Sequence, residues 1–228
     1  MSVKSYHSTQ RPANEIFRLA PATDRPGPTQ EIRMNIQATP DAGAVIDSAV
    51  PEDARALVSF WRDAGQEKWF AKDPEFDVLF RDRFAAAYSE AVQGALANWA
   101  VAPESALALA LLLDQYPRNS FRGTPWMYAT DPMARLVAEQ ALVLGHLARL
   151  PPDLGVFLLL PFGHSERLED QERSVTLAEA FLPESAHHAR RHRDIVRRFG
   201  RFPHRNAILG RATTPEEAAY LAGGGYAG

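Results

Sequence analysis

From Pro51 onward the apolar positions recur with a helical period, and the pattern is repeatedly punctuated. Ala54, Leu57, Val58 and Trp61 follow the spacing i, i+3, i+4, i+7, which is one face of a helix. Asp73-Pro74-Glu75 reads as a helix start, with a capping side chain, proline at the first helical position and a carboxylate in the first turn. A stripe of Phe76, Leu79, Phe80, Phe84, Ala87, Tyr88 and Ala91 follows, with Gly94 as its stop. The same start grammar recurs at Pro103-Glu104, Asp131-Pro132, Pro183-Glu184 and Thr214-Pro215, where Glu217 completes a capping box with Thr214. Phe157 to Leu160 is the one strand-like run, and a leucine-rich run suits a buried helix equally well. The pattern predicts an all-α chain of about seven or eight antiparallel helices joined by short loops.

Residues 1–50 break this pattern. They hold Pro12, Pro21, Pro26, Pro28 and Pro40, no sustained apolar period, and charges of both signs. Such a segment buries too little apolar surface to offset its ordering entropy, so it reads as a flexible leader ahead of a helical domain over 51–228. No apolar stretch of secretory type follows Lys4, and Glu15, Asp24 and Glu31 interrupt the basic pattern of an organellar presequence, so a cytoplasmic protein is expected. The longest apolar runs, Ala106 to Leu113 and Val156 to Phe162, fall short of the roughly 20 residues of a membrane span. The chain of 228 residues has no cysteine, which excludes a disulfide scaffold, a thiolate metal site and a cysteine nucleophile.

The net charge of −3 hides a strong segregation. Between His187 and Arg211 lie eight arginines and one acid, Asp194, a local charge of +7 against −10 for the rest of the chain. A helix exit at Gly200 places Arg201, His204, Arg205 and Asn206 on a compact turn held by Pro203, with Arg211 close behind. Guanidinium forks, imidazoles and an amide suit a phosphate or carboxylate. Nucleic acid is disfavoured by the acidic overall balance, by only three lysines, and by having just Phe199 and Phe202 interleaved with the arginines.

Two further segments carry more polar residues than a core or an ordinary surface needs. In the first, three leucines run directly into Asp114, Gln115, Arg118 and Asn119, with Pro117 expected to end the helix and Arg122 following. Asp114 is then partly buried and needs a partner, for which Arg118 and Arg122 are the candidates. In the second, His164-Ser165-Glu166 invites a hydrolase reading, but neighbouring residues do not face one another, and the strand-turn-helix of a nucleophile elbow is missing. Ser165 is expected to cap the next helix and His164 to face a cavity. His188 and His192 have a workable metal-ligand spacing that His164 and Glu166 complete only against the repulsion of the surrounding arginines, so neither a metal nor another cofactor is expected.

Residues 59–222 resemble a widespread bacterial family catalogued as domain of unknown function 924. The resemblance is carried by Phe60-Trp61, Trp69-Phe70 with Asp73 and Phe76-Asp77, and Leu112-Leu113-Asp114-Gln115 followed by Pro117-Arg118-Asn119 and Arg122-Gly123. It continues through Ala129 and Asp131, Pro161 with His164-Ser165-Glu166, Asp170 to Ser174, and His192-Arg193-Asp194. It closes on Phe199 to Asn206 and Leu209-Gly210-Arg211. The resemblance implies an all-α, tetratricopeptide-repeat-like array and no particular activity. Gly163 departs from the family pattern, in which a larger residue precedes the His-Ser-Glu segment.

Three functional expectations follow. In the first, a concave pocket lined by arginine and histidine binds a small anionic molecule or an acidic peptide. In the second, the same pocket is hydrolytic, with a histidine as general acid-base and Asp114 or Glu166 orienting it. In the third, the polar residues form a structural ion-pair network in a scaffold for a protein partner.

Overall fold

The computed structural model describes residues 50–226; of the expected leader over residues 1–50 only Val50 falls within them, and it is buried in the core of the helical domain, while the rest lies outside the described residues. Those described contain helices and no strand. Eight α-helices among them have eight residues or more.

Helix α1, Glu52–Ala64, buries Ala54, Leu57, Val58 and Trp61, the face its spacing predicts. Gly65 at φ 72° ends it, and the short α2, Gln66–Trp69, returns the Trp69 indole N–H to the Trp61 carbonyl. Helix α3, Pro74–Val92, starts at the Asp73 carboxylate, which accepts from the Glu75 and Phe76 amides. It buries Phe76, Phe80, Phe84 and Ala91. Leu79, by contrast, is 55% exposed, because the buried stripe is narrower than the apolar one.

The core is organised by α4, Pro103–Ala110, in which every residue except Glu104 is buried. A helix apolar all round must be surrounded. Helix α4 packs on α1, on α6 (Asp131–Val143) and on α7 (Pro152–Gly163). The strand-like run Phe157 to Leu160 is therefore helical: Pro151-Pro152 opens α7, and α4 and α6 bury its leucines as a strand partner would have done. Trp61, Trp69 and Phe157 meet at ring-centroid distances of 5.2 to 6.4 Å beside this junction.

Helix α4 does not end at Pro117. It widens into one π-helical turn, Leu111–Gln115, and resumes as α5, Tyr116–Ser120. Proline has no N–H to give to the Leu113 carbonyl four residues back. The Thr130 hydroxyl donates to that carbonyl instead, at 2.5 Å. The π-turn carries Asp114 and Gln115 inside the core, in keeping with the frequent use of such turns at functional positions.

The chain then passes through α8 (Leu168–Phe181), which packs on α7 and on α9 (Ala186–Phe199). Gly200 at φ 70° is the expected exit of α9 and leads into a short turn, Pro203–Arg205. The final α10, Pro215–Ala222, opens with the predicted Thr214–Glu217 capping box.

Truncating Leu112, which is fully buried, should destabilise the protein by about 2–5 kcal/mol in Leu112→Ala. Leu79→Ala, on the exposed side of α3, should stay within about 0.5 kcal/mol. Urea denaturation of the two variants beside the unmodified chain measures both.

Candidate functional site

Helix α5 and the turn after it, the end of α7, α9 and the Gly200–Arg211 segment converge around one cavity of about 410 Å³. On its wall stand Lys72, Arg118, Arg122, His164, His192, His204 and Arg205. Met127, Tyr128, Phe202, Ile208 and Tyr226 supply apolar and aromatic surface, with the glycines Gly123 and Gly163 between them. Among the described residues no carboxylate reaches this wall.

The carboxylates lie one layer behind. Asp114, 1% exposed, accepts from the Gln115 amide at 2.6 Å and places Oδ1 2.7 Å from His164 Nδ1. Arg118 lies 3.2 Å from Asp114 Oδ1 and forms a two-pronged pair with Asp131 at 2.8 and 3.0 Å. Arg205 approaches Asp131 from the other side at 3.6 Å and donates to the His164 carbonyl at 3.0 Å. That carbonyl belongs to the C-terminal cap of α7, where a cation is favoured by the helix dipole. The guanidinium of Arg205 lies between the Tyr128 and Phe202 rings, 4.4 and 4.7 Å from their centroids.

Burial pushes the Asp114 carboxyl up, but Arg118, His164 and Gln115 outweigh it and hold it at about 2. For Arg118, burial opposes the charge while Asp114 and Asp131 more than restore it, so its pKa rises. Burial depresses Arg205, with Arg118 adding to the effect. Burial also pushes His192 down to about 3, helped by His164 and Arg205, and His204 down to about 4, helped by Arg205. Both rings are neutral near pH 7.

The other residues singled out in the sequence, Asn119, Glu166, Arg201, Asn206 and Arg211, do not line the cavity. Asn119 and Arg122 both bind Asp77, at 2.9 Å for Asn119 and through two nitrogens for Arg122, which alone of the two reaches the wall. Glu166 holds Arg211 at 2.6 and 3.0 Å and accepts from the Phe202 amide at 2.8 Å. Asn206 accepts from Arg211 and donates to Glu217, which also takes the Arg201 fork at 2.6 and 2.9 Å. These residues tie the Gly200–Arg211 turn to α10 and to the start of α8, and so fix His204 and Arg205. Ser165 is not the cap of α8: its hydroxyl donates to Asp170 at 2.6 Å and accepts from the Arg167 amide at 3.2 Å, bracing the turn before the helix. No group of three or more His, Asp or Glu side chains is arranged to hold a metal ion among the described residues.

Sequence reasoning missed Asp131, Lys72, Tyr128 and Tyr226. Asp131-Pro132 has the form of a cap, yet Thr130 precedes the helix and Asp131 occupies its first turn, which frees the carboxylate for two arginines. The available signal was the number of arginines needing partners. Lys72 beside a cap and Tyr226 near the end of the chain carry no local signal at all. Gly163 has a structural reason: a Cβ there would stand 3.2 Å from Ser174 Oγ and 3.7 Å from His192 Nδ1. The larger residue expected of the family would crowd that wall.

Fold and site together define an all-α protein with a cation-walled cavity backed by buried carboxylates. The chain belongs to the family described as bacterial protein of unknown function, DUF924, which matches residues 57–225. It is 53% identical to the protein of unknown function ATU0120 from Agrobacterium tumefaciens, whose solved structure superposes with a TM-score of 0.72 over 74% of this chain and 96% of that one. Among curated proteins none matches.

Asp131→Asn should destabilise the fold by about 3–5 kcal/mol in urea titration, because it leaves two largely buried guanidinium groups short of a partner. The pH dependence has a defined sign. Between the ordinary histidine value of 6.5 and the depressed values of His192 and His204, the unfolded chain binds more protons than the folded one. Stability should therefore be fully present above pH 6.5 and fall on acidification, by up to about 1.4 kcal/mol per pH unit for each ring. The depressed Asp114 adds a second loss below its ordinary value of 3.8, continuing to about 2. Urea midpoints measured from pH 7.5 to 5 should flatten in a His192→Gln/His204→Gln double variant.

Proposed function

We propose that the cavity binds a small molecule through an anionic group, a phosphate or a carboxylate, with the acidic end of a peptide as a larger ligand of the same chemistry. The observation that carries this reading is the composition of the wall among the described residues: four cationic side chains, three imidazoles and no carboxylate. A volume of about 410 Å³ lies within the usual range of small-molecule sites, roughly 300–1,000 Å³. The aromatic and aliphatic surface of Met127, Tyr128, Phe202 and Tyr226 suits an apolar portion of the same ligand.

The ligand's charge meets donors that are not already in use. Arg118 and Arg205 are held by Asp114 and Asp131 and act as a fixed positive background. Lys72 makes no ion pair or side-chain hydrogen bond among the described residues. Arg122 holds Asp77 and the Ala71 carbonyl through Nε and Nη2, which leaves Nη1 without a partner among the described residues. The reading takes the chain as cytoplasmic and uses the tetratricopeptide-like arrangement expected from the sequence as an analogy for concave helical binding surfaces.

A thermal-shift series on the full chain with inorganic phosphate, pyrophosphate, succinate and an acidic peptide tests this reading. An anion at 100 times its dissociation constant adds about 2.7 kcal/mol of stability. Lys72→Ala, which removes an exposed side chain, should leave the unliganded melting temperature in place and weaken the best anion about tenfold. Absence of stabilisation by every anion would refute it.

A further inference from the structure

We propose that the cavity hydrolyses a phosphate monoester, with His164 as general base and Asp114 as its positioning residue; this rests on the anion-binding reading above. Asp114 is 1% exposed and engages His164 Nδ1 at 2.7 Å, so the carboxylate accepts the Nδ1 proton and leaves Nε2 with its lone pair. Nε2 has no partner among the described residues, and His164 lies on the cavity wall. A second hold comes from Arg205, which binds the His164 carbonyl at 3.0 Å, so ring and backbone are both anchored. A buried carboxylate orienting an imidazole whose other nitrogen faces a ligand cavity is the arrangement general-base chemistry needs. A purely structural histidine has no need of an open second nitrogen.

The surroundings select phosphoryl over acyl chemistry. Phosphoryl transfer asks mainly for positioning and for fixed positive charge around three oxygens. Lys72, the free Nη1 of Arg122 and the background charge of Arg118 and Arg205 provide that charge on the same wall. His192 and His204 stay neutral and add hydrogen-bonding capacity without further charge; His204 Nδ1 is buried with no partner among the described residues.

In the step, Nε2 of His164 takes a proton from water as the water oxygen bonds to phosphorus. The bond from phosphorus to the leaving oxygen breaks, and its electron pair stays on that oxygen. The leaving oxygen takes up a proton from solvent, the imidazolium returns its proton to solvent, and the products are inorganic phosphate and an alcohol. Water is the only co-reactant.

Inorganic phosphate labelled with oxygen-18 probes this step without knowledge of the alcohol, since attack of water on bound phosphate exchanges label for solvent oxygen. The full chain, with His164→Ala and Asp114→Asn purified in parallel, is incubated with labelled phosphate, and label loss is read by phosphorus NMR. The same samples are melted with and without phosphate. The expected result is label loss by the unmodified chain that falls about 10²–10⁴-fold in His164→Ala while phosphate still stabilises that variant. Asp114→Asn should fall in the same direction. Should Asp114→Asn fail to fold, His164→Ala alone decides. Phosphate stabilisation without label loss, or equal label loss in His164→Ala, overturns the hydrolytic proposal and leaves the binding reading in place. Stabilisation by carboxylates but not by phosphate also overturns it, whereas no stabilisation by any anion removes the binding reading as well.

Discussion

The chain of charges from Asp114 through Arg118 and Asp131 to Arg205 is the constraint on which the rest of the site depends. It joins the π-turn, α5, the first turn of α6 and the Pro203–Arg205 turn, four parts of the sequence up to 91 residues apart. Each charge is largely buried, and a buried charge is tolerable only while its partners are present and correctly aimed. The network therefore requires that its four elements arrive together. Once they do, His164 is held from both sides, at Nδ1 by Asp114 and at its carbonyl by Arg205.

The backbone makes this possible through a small irregularity. An uninterrupted α-helix from Pro103 would have to accommodate Pro117, with a clash and an unanswered carbonyl at Leu113. The π-turn absorbs the proline, and the Thr130 hydroxyl answers the carbonyl. The same contact docks the start of α6 against the π-turn and brings Asp131 to Arg118. One residue's missing N–H thus links the covalent chain to the arrangement of the site.

The arginine-rich segment divides into two tasks. Arg201 and Arg211, with Glu166, Asn206 and Glu217, brace a turn; Arg205 and His204, carried on that turn, reach the cavity. The ion-paired braces and the cation-walled cavity, distinct alternatives when only the sequence is considered, lie side by side in one stretch of chain. The bracing residues pair with one another behind the cavity and hold the turn that carries its wall.

Local rules in the sequence sufficed for the helices. The spacing of Ala54, Leu57, Val58 and Trp61, the Asp73 and Thr214 caps and the Gly200 exit all depend on neighbours within a turn or two, so they are legible in one dimension. The cluster of Asp114, His164 and Arg205 was legible as chemistry but not as geometry. Leu79 on an exposed face, the helical Phe157 run and the continuation past Pro117 were decided by what lay opposite them in the folded chain. So was the release of Asp131 from capping to ion pairing, and the presence of Lys72 and Tyr226 beside the histidines. Short-range hydrogen bonding and periodicity are written in adjacent residues; burial, charge pairing and the shape of a cavity arise only where distant segments meet.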